Sequence, residues 1–186
     1  MRGPALRDSG DPIYSRNQLH RAITGAIMAG VSTDHGTVVV ERVLDVPLAR
    51  VYGAFADAAE RARWGSPSDT AAFIYDAADF RVGGLDVIRC GPKEDPRFRV
   101  EARYLDIVPE RRVVWIEAIR DGNVPLAANL TTLEFFPQGS RTRVKVTVQV
   151  ASFVGPAMIE NTREGHTGSL GNMARLLETA NADVRE

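Results

Sequence analysis

The chain has 186 residues, 44% hydrophobic and 25% charged, and its 23 Lys+Arg against 24 Asp+Glu leave a net charge of −1. That length suits one domain, or one domain with a tail, and can bury a sizeable core without staples. The even balance leaves no global basic field for nucleic acid or an anionic membrane; no run approaches the ~18 apolar residues of a membrane span; and a single cysteine excludes an internal disulfide framework or a multi-thiolate metal site.

Residues 1–36 are punctuated by Gly3, Pro4, Gly10, Pro12, Gly25, Gly30 and Gly36 and do not read as a packed element. Leu19, Ile23 and Ile27 recur at helical spacing, in a helix that Gly25 weakens by ~1 kcal/mol relative to Ala. No continuous apolar h-region of ~7–15 residues is present, so a secretory signal is not expected. Arg2, Arg7, Arg16 and Arg21 have a transit-peptide flavour that Asp8 and Asp11 oppose. Two readings stay open: a mobile tail or short surface helix, or a native chain that starts at Met28. A cytoplasmic protein is expected.

From Thr37 the pattern changes. Thr37 to Val46 is β-branched, and Pro47 stops it by removing an N–H. Pro47 also suits a helix start, and Leu48, Val51, Tyr52 and Phe55 follow at helical spacing. A second short helix, Ala58 to Arg63, leads to Trp64. Six strands then follow with turn signals between them: Phe73–Phe80, Leu85–Cys90, Phe98–Ile107, Val113–Arg120, Leu126–Phe136 and Thr142–Ala151. The last alternates most cleanly, with Val144, Val146, Val148 and Val150 against Arg143, Lys145, Thr147 and Gln149, which predicts one dry and one wet face. Ile159 to Ala182 reads as a long helix. Consecutive strands pair mostly as antiparallel hairpins. An α+β domain over 37–181 results, with residues 182–186 as a tail. Its antiparallel sheet of about seven strands has two short helices after strand one and is covered by the C-terminal helix.

Several stretches together resemble the START-like (SRPBCC) superfamily and its helix-grip fold. Within it, the chain is similar to the branch named after the activator of the heat-shock-protein-90 ATPase. Val43-Leu44-Asp45-Val46-Pro47 with Val51-Tyr52-Gly53-Ala54-Phe55 resembles the family's strand-to-helix entry. Arg63-Trp64 sits at its tryptophan after the second helix, and Phe80-Arg81-Val82-Gly83-Gly84 at its arginine/double-glycine turn. Arg103 to Arg111 resembles its strand-turn before the next hairpin, and Arg163-Glu164-Gly165 the start of its last helix. The resemblance implies a curved sheet wrapped around the last helix, with a deep, largely apolar cavity for a small hydrophobic molecule: lipid-, polyketide- or aromatic-like. Some members of the superfamily catalyse cyclisation or dehydration. Direct chaperone activation is not expected, since the eukaryotic proteins add a chaperone-binding domain for which 186 residues leave no room. Related bacterial members often read Thr-Glu-Gln on the last strand, where this chain has Thr147-Val148-Gln149. An inward carboxylate is thus replaced by Val148.

Strand Val113–Arg120 offers a substitute. Val113, Trp115, Glu117 and Ile119 share one face and Val114, Ile116, Ala118 and Arg120 the other. Both contain apolar residues, so the direction stays open; the tryptophan and the similarity to the family's aromatic positions favour the first set inward, which would place Glu117 in the cavity. A buried carboxylate is costly unless paired or protonated, and desolvation raises its pKa. It could serve as general acid or base, or fix one polar ligand atom; the alternative is a rim position or a structural pair with an arginine. His166, Leu170, Met173 and Leu177 form one helical stripe. His166 is either a hydrogen-bonded core residue or, with Glu117, an acid/base pair of the cyclase or dehydratase type. Asn129, Thr131, Leu133 and Phe135 should share an inward face, and Asn129 and Thr131 would give an apolar pocket a few polar groups; the alternative is that Asn129 bonds locally to backbone. Trp64 and Phe73 are candidate walls. The candidate ligand-binding set is therefore Trp64, Phe73, Trp115, Asn129, Thr131, Leu133, Val148, Leu170 and Met173, with Glu117 and His166 as candidate catalytic groups.

The remaining residues imply less. Cys90 lacks a local His partner and reads as a buried inert thiol. His20, His35 and His166 are too dispersed for a recognisable zinc motif, and no metal or cofactor is expected. Arg97, Arg99, Arg103, Arg111 and Arg112 are offset by Glu94, Asp95, Glu101, Asp106 and Glu110, which reads as a solvated face. A protein-interaction or stress-related module without catalysis, homodimeric through an edge strand, is the third reading beside ligand binder and enzyme.

Overall fold

The structure is a computed structural model that describes residues 32–183. The expected helix around Leu19–Ile27 and the Met28 start lie outside those residues. The described chain runs β1 (Asp34–Leu44), α1 (Leu48–Ala56), α2 (Ala58–Trp64), β2 (Ala71–Ala77), β3 (Leu85–Pro92), β4 (Phe98–Val108), β5 (Arg112–Asp121), β6 (Val124–Gln138), β7 (Arg141–Ser152) and α3 (Ala157–Asp183). The seven strands form one antiparallel, curved sheet in the order β1-β7-β6-β5-β4-β3-β2. Strands β2 to β7 are neighbours in sequence and in space. Strand β1 lies at the far edge against β7, so α1 and α2 carry the chain from one edge of the sheet to the other.

Local chemistry sets these boundaries. Pro47 caps α1, and its carbonyl accepts from the Arg50 and Val51 amides at 3.0 and 3.1 Å. Asp57 ends α1 and starts α2: its amide donates to the Gly53 carbonyl, and its carboxylate accepts from the Glu60 amide at 2.8 Å. At Gly83-Gly84 the chain turns into β3; Gly83 has φ +79°, and a Cβ on Gly84 would lie 2.0 Å from the Asp79 carbonyl oxygen. Only glycine fits there.

The dry face of β7 is as the alternation predicts, with Val144, Val146, Val148 and Val150 all buried. Opposite them lies the buried stripe of α3: Leu170, Met173, Ala174 and Leu177. These residues, with Val38, Val51, Phe55, Leu133 and Phe135, form the main core. A second cluster lies toward the other sheet edge, around Ile88, Cys90, Phe98, Val100 and Leu126. Cys90 is buried there. Strand β1 begins at Asp34, three residues before the expected domain start at residue 37, and α3 continues to Asp183. The arginine cluster on β4 and β5 is solvated: Arg99 pairs with Glu101 and Arg112 with Asp106, while Arg97 pairs with Asp121. Among the described residues no helix is long and apolar enough to cross a membrane.

Candidate functional site

The two core clusters do not meet in a continuous packing. Between them, bounded by the inner face of the sheet and α3 and partly open to solvent, is a cavity of about 250 Å³. Strands β2 to β7 supply its floor and α3 its roof. The loop after α2 closes one side through Gly65 and Pro67. This loop and α3 are tied together: Ser169 Oγ donates to the Gly65 carbonyl at 2.8 Å, and Asn172 Nδ2 donates to the Ser66 carbonyl.

Nine of the eleven residues singled out in the sequence line this cavity: Trp64, Phe73, Trp115, Glu117, Asn129, Leu133, His166, Leu170 and Met173. Trp64 is buried and its indole N–H donates to the Ala54 carbonyl at 3.1 Å, so the ring is fixed as wall. Two expectations need correction. Val148 is fully buried, but packs between Val38 of β1 and Thr131 of β6 in the main core and does not line the cavity. Thr131 is likewise fully buried and set back from the lining. The physical reasons differ. Val148 lies beyond the lining residues Val144 and Val146 on β7, where β1, β6 and β7 pack together. Thr131 lies between the lining residues Asn129 and Leu133, with Trp115 and Val148 beside it on β5 and β7, and its short side chain does not reach past these larger neighbours.

Glu117 and Asn129 are directly opposite each other on β5 and β6. Asn129 Nδ2 donates to Glu117 Oε1 at 2.8 Å, and Trp115 Nε1 donates to Glu117 Oε2 at 3.1 Å. The half-buried carboxylate is thus held inward by two neutral donors rather than by an arginine. Asn129 is 4% exposed, and its Oδ1 has no hydrogen-bond partner; neither has the Thr131 hydroxyl. His166 comes from α3, one turn before Leu170. Burial lowers its pKa, favouring the neutral imidazole, and the nearby Glu117 charge partly opposes this.

A second polar cluster lines the cavity and was missed from sequence. Arg61 of α2 is 3% exposed and Asp86 of β3 is 1% exposed. Arg61 Nη2 donates to Asp86 Oδ2 at 3.1 Å, its Nε to the Tyr75 hydroxyl at 2.9 Å, and its Nη1 to the Phe55 and Ala56 carbonyls. Tyr104 donates to Asp86 Oδ2 at 2.6 Å, and the Asp79 amide donates to Oδ1 at 2.8 Å. Burial works against the Arg61 charge, but Tyr75, Tyr104 and Asp86 outweigh it and raise its pKa. Burial pushes the Tyr75 hydroxyl up to about 12 despite the adjacent guanidinium, and burial likewise raises Tyr104. Both phenols stay protonated. A signal for this cluster was present in the sequence: alternation puts Asp86 on the same face as Ile88 and Cys90, and an inward carboxylate needs a cation.

The chemistry on offer is therefore an apolar chamber with two polar patches. In one, Arg61 and Asp86 neutralise each other. In the other, Glu117 is held by neutral groups, with Asn129 Oδ1 left over and His166 on the facing helix.

The comparisons with known proteins agree with this architecture. A Rhizobium loti protein of known structure is 38% identical, over 77% of this chain and 98% of that one, with a TM-score of 0.69. A Chromobacterium violaceum protein is 27% identical, over 76% and 96%, with a TM-score of 0.68. At 16% identity and a TM-score of 0.58, the fold alone recurs in a protein of the dynemicin biosynthetic locus, covering 77% of this chain and 48% of that one. No curated protein matches the sequence. The model of one family, described as Activator of Hsp90 ATPase homolog 1-like protein, matches residues 45–178. That span includes α1, α2, six of the seven strands and most of α3, and the chain belongs to this family.

Proposed function

We propose that the protein binds a small, largely apolar molecule in the chamber between the sheet and α3. The observation that carries this reading is the cavity itself: about 250 Å³ lined mostly by apolar side chains from both core clusters. A cavity of about 150 Å³ accepts benzene, so this one suits a molecule of about two fused rings or a short branched chain. Affinity would come chiefly from apolar burial at ~25 cal/mol per Å², with Glu117 and Asn129 orienting the one polar end. Native mass spectrometry of freshly purified protein tests the reading. A bound small molecule, released by mild denaturation and reduced in a cavity-filled Ala102→Phe variant, is the expected result. Protein that arrives empty and also fails to bind any apolar probe would count against it.

A second reading has its own observation. Glu117 and His166 line the same cavity from facing elements, and the Glu117 charge acts on the imidazole. A neutral imidazole beside a carboxylate can accept a proton from a bound substrate and return it, which is the proton shuttle that cyclisation or dehydration requires. Glu117→Gln would then abolish turnover of a substrate it still binds. Unchanged turnover would exclude Glu117 from the chemistry. An interaction module without a ligand remains the reading left if the chamber takes up nothing.

A further inference from the structure

Resting on that ligand-binding reading, we propose that the chamber selects molecules that present a hydrogen-bond donor, such as a phenol, an alcohol or an amine, and discriminates against carboxylates of the same shape. The selecting groups are Asn129 Oδ1 and the Glu117 carboxylate. Asn129 donates through Nδ2 to Glu117 at 2.8 Å. An ionised carboxylate can only accept, so the amide cannot be turned around. Its carbonyl oxygen is therefore committed to the other direction. It sits on a side chain 4% exposed, in the cavity wall, without a partner. Buried acceptors of this kind are rare and costly unless something donates to them.

The neutral His166 imidazole on the facing helix can donate or accept and imposes no sign; the carboxylate and the groups already engaged favour a ligand donor. Each Glu117 oxygen accepts one bond and has capacity for another. The Trp115 N–H is spent on Glu117. Arg61 is engaged by Asp86, Tyr75 and two backbone carbonyls, and its charge is matched by Asp86. The Tyr75 hydroxyl, whose oxygen accepts from Arg61, has a proton to offer a ligand acceptor elsewhere in the chamber. The Thr131 hydroxyl behind Asn129 can donate or accept and imposes no sign. A ligand carboxylate at this end would meet the Glu117 charge and the Asn129 carbonyl in a poorly solvated space, where repulsion is strong.

Four two-ring probes test the proposal at pH 7 on the full chain: naphthalene, 2-naphthol, 2-methoxynaphthalene and 2-naphthoate, titrated by calorimetry. The expected result is that 2-naphthol binds about tenfold or more tightly than both naphthalene and the methyl ether, with naphthoate weakest. In Glu117→Gln, whose amide both donates and accepts, the preference for naphthol should narrow to within about threefold and naphthoate should bind more tightly than to the wild type. Equal affinity for naphthol and its methyl ether, or naphthoate as the tightest wild-type ligand, would overturn the proposal without any variant having to fold. Naphthalene binding with no donor preference removes the selectivity alone. Failure of all four probes removes the ligand-binding reading as well.

Discussion

Asp86 shows how much rests on one side chain. It is 1% exposed and holds Arg61, Tyr104 and the Asp79 amide at once. Removing one partner of a buried ion pair leaves a charge without compensation and costs about 3–5 kcal/mol. Asp86→Ala should therefore lose about that much in urea unfolding, and the double variant Arg61→Met/Asp86→Leu should recover most of it. A single-variant loss under about 1 kcal/mol would mean that the pair is not structural. His166 gives a second residue-scale expectation. Its folded pKa is lowered by burial, with Glu117 opposing, from an ordinary value of about 6.5. Above that value the imidazole is neutral in both states and costs nothing. Below it the unfolded chain takes up a proton that the folded chain resists, so stability falls as pH drops from about 6.5 toward the lowered folded value. His166→Gln should flatten this part of the stability–pH curve; an unchanged slope would place the imidazole in water. At this scale strand and helix periodicity put Asn129 and His166 on inward stripes, while both faces of the Glu117 strand are apolar and left its direction open; all three line the chamber. The sequence was not readable for Arg61, whose partner lies 25 residues away on another element.

At the scale of elements, the roof of the chamber is located by a close approach. A Cβ on Gly168 of α3 would lie 2.6 Å from the Pro67 carbonyl oxygen, whereas a Cβ on Gly53 of α1 meets nothing within 4 Å. Glycine to alanine in an open helix interior gains about 0.5–1 kcal/mol. Gly53→Ala should therefore stabilise the protein by about that amount, and Gly168→Ala should instead destabilise it by about 1–3 kcal/mol through the clash with the loop. If thermal melts showed both variants stabilised, α3 would not be clamped on the 65–68 loop. All seven strands and three helices were legible, helped by stops such as Pro47, Gly83-Gly84, Asp121-Gly122 and Gly139, although β2 ends at Ala77, short of the expected Phe80. What alternation could not say is which of the inward side chains border open space. Val148 and Thr131 face inward, yet are covered by packing instead of bordering space.

For the whole molecule, the balanced surface charge and the hollow interior belong together. The wet faces carry mixed, mutually paired charges, which leaves the chamber as the distinctive chemical surface. No composition value could reveal that chamber, because a solid and a hollow core share the same hydrophobic patterning; it is bounded by α3 and the inner face of the sheet. The most direct measurement is a methyl NMR titration of the folded protein with naphthalene. Saturable shifts at Leu133, Val146, Leu170 and Met173, lost in Ala102→Phe while the fold persists, are the result expected of an internal binding chamber. Shifts confined to the exposed Val39, Val43 and Ile116, or identical titrations for wild type and Ala102→Phe, would contradict it.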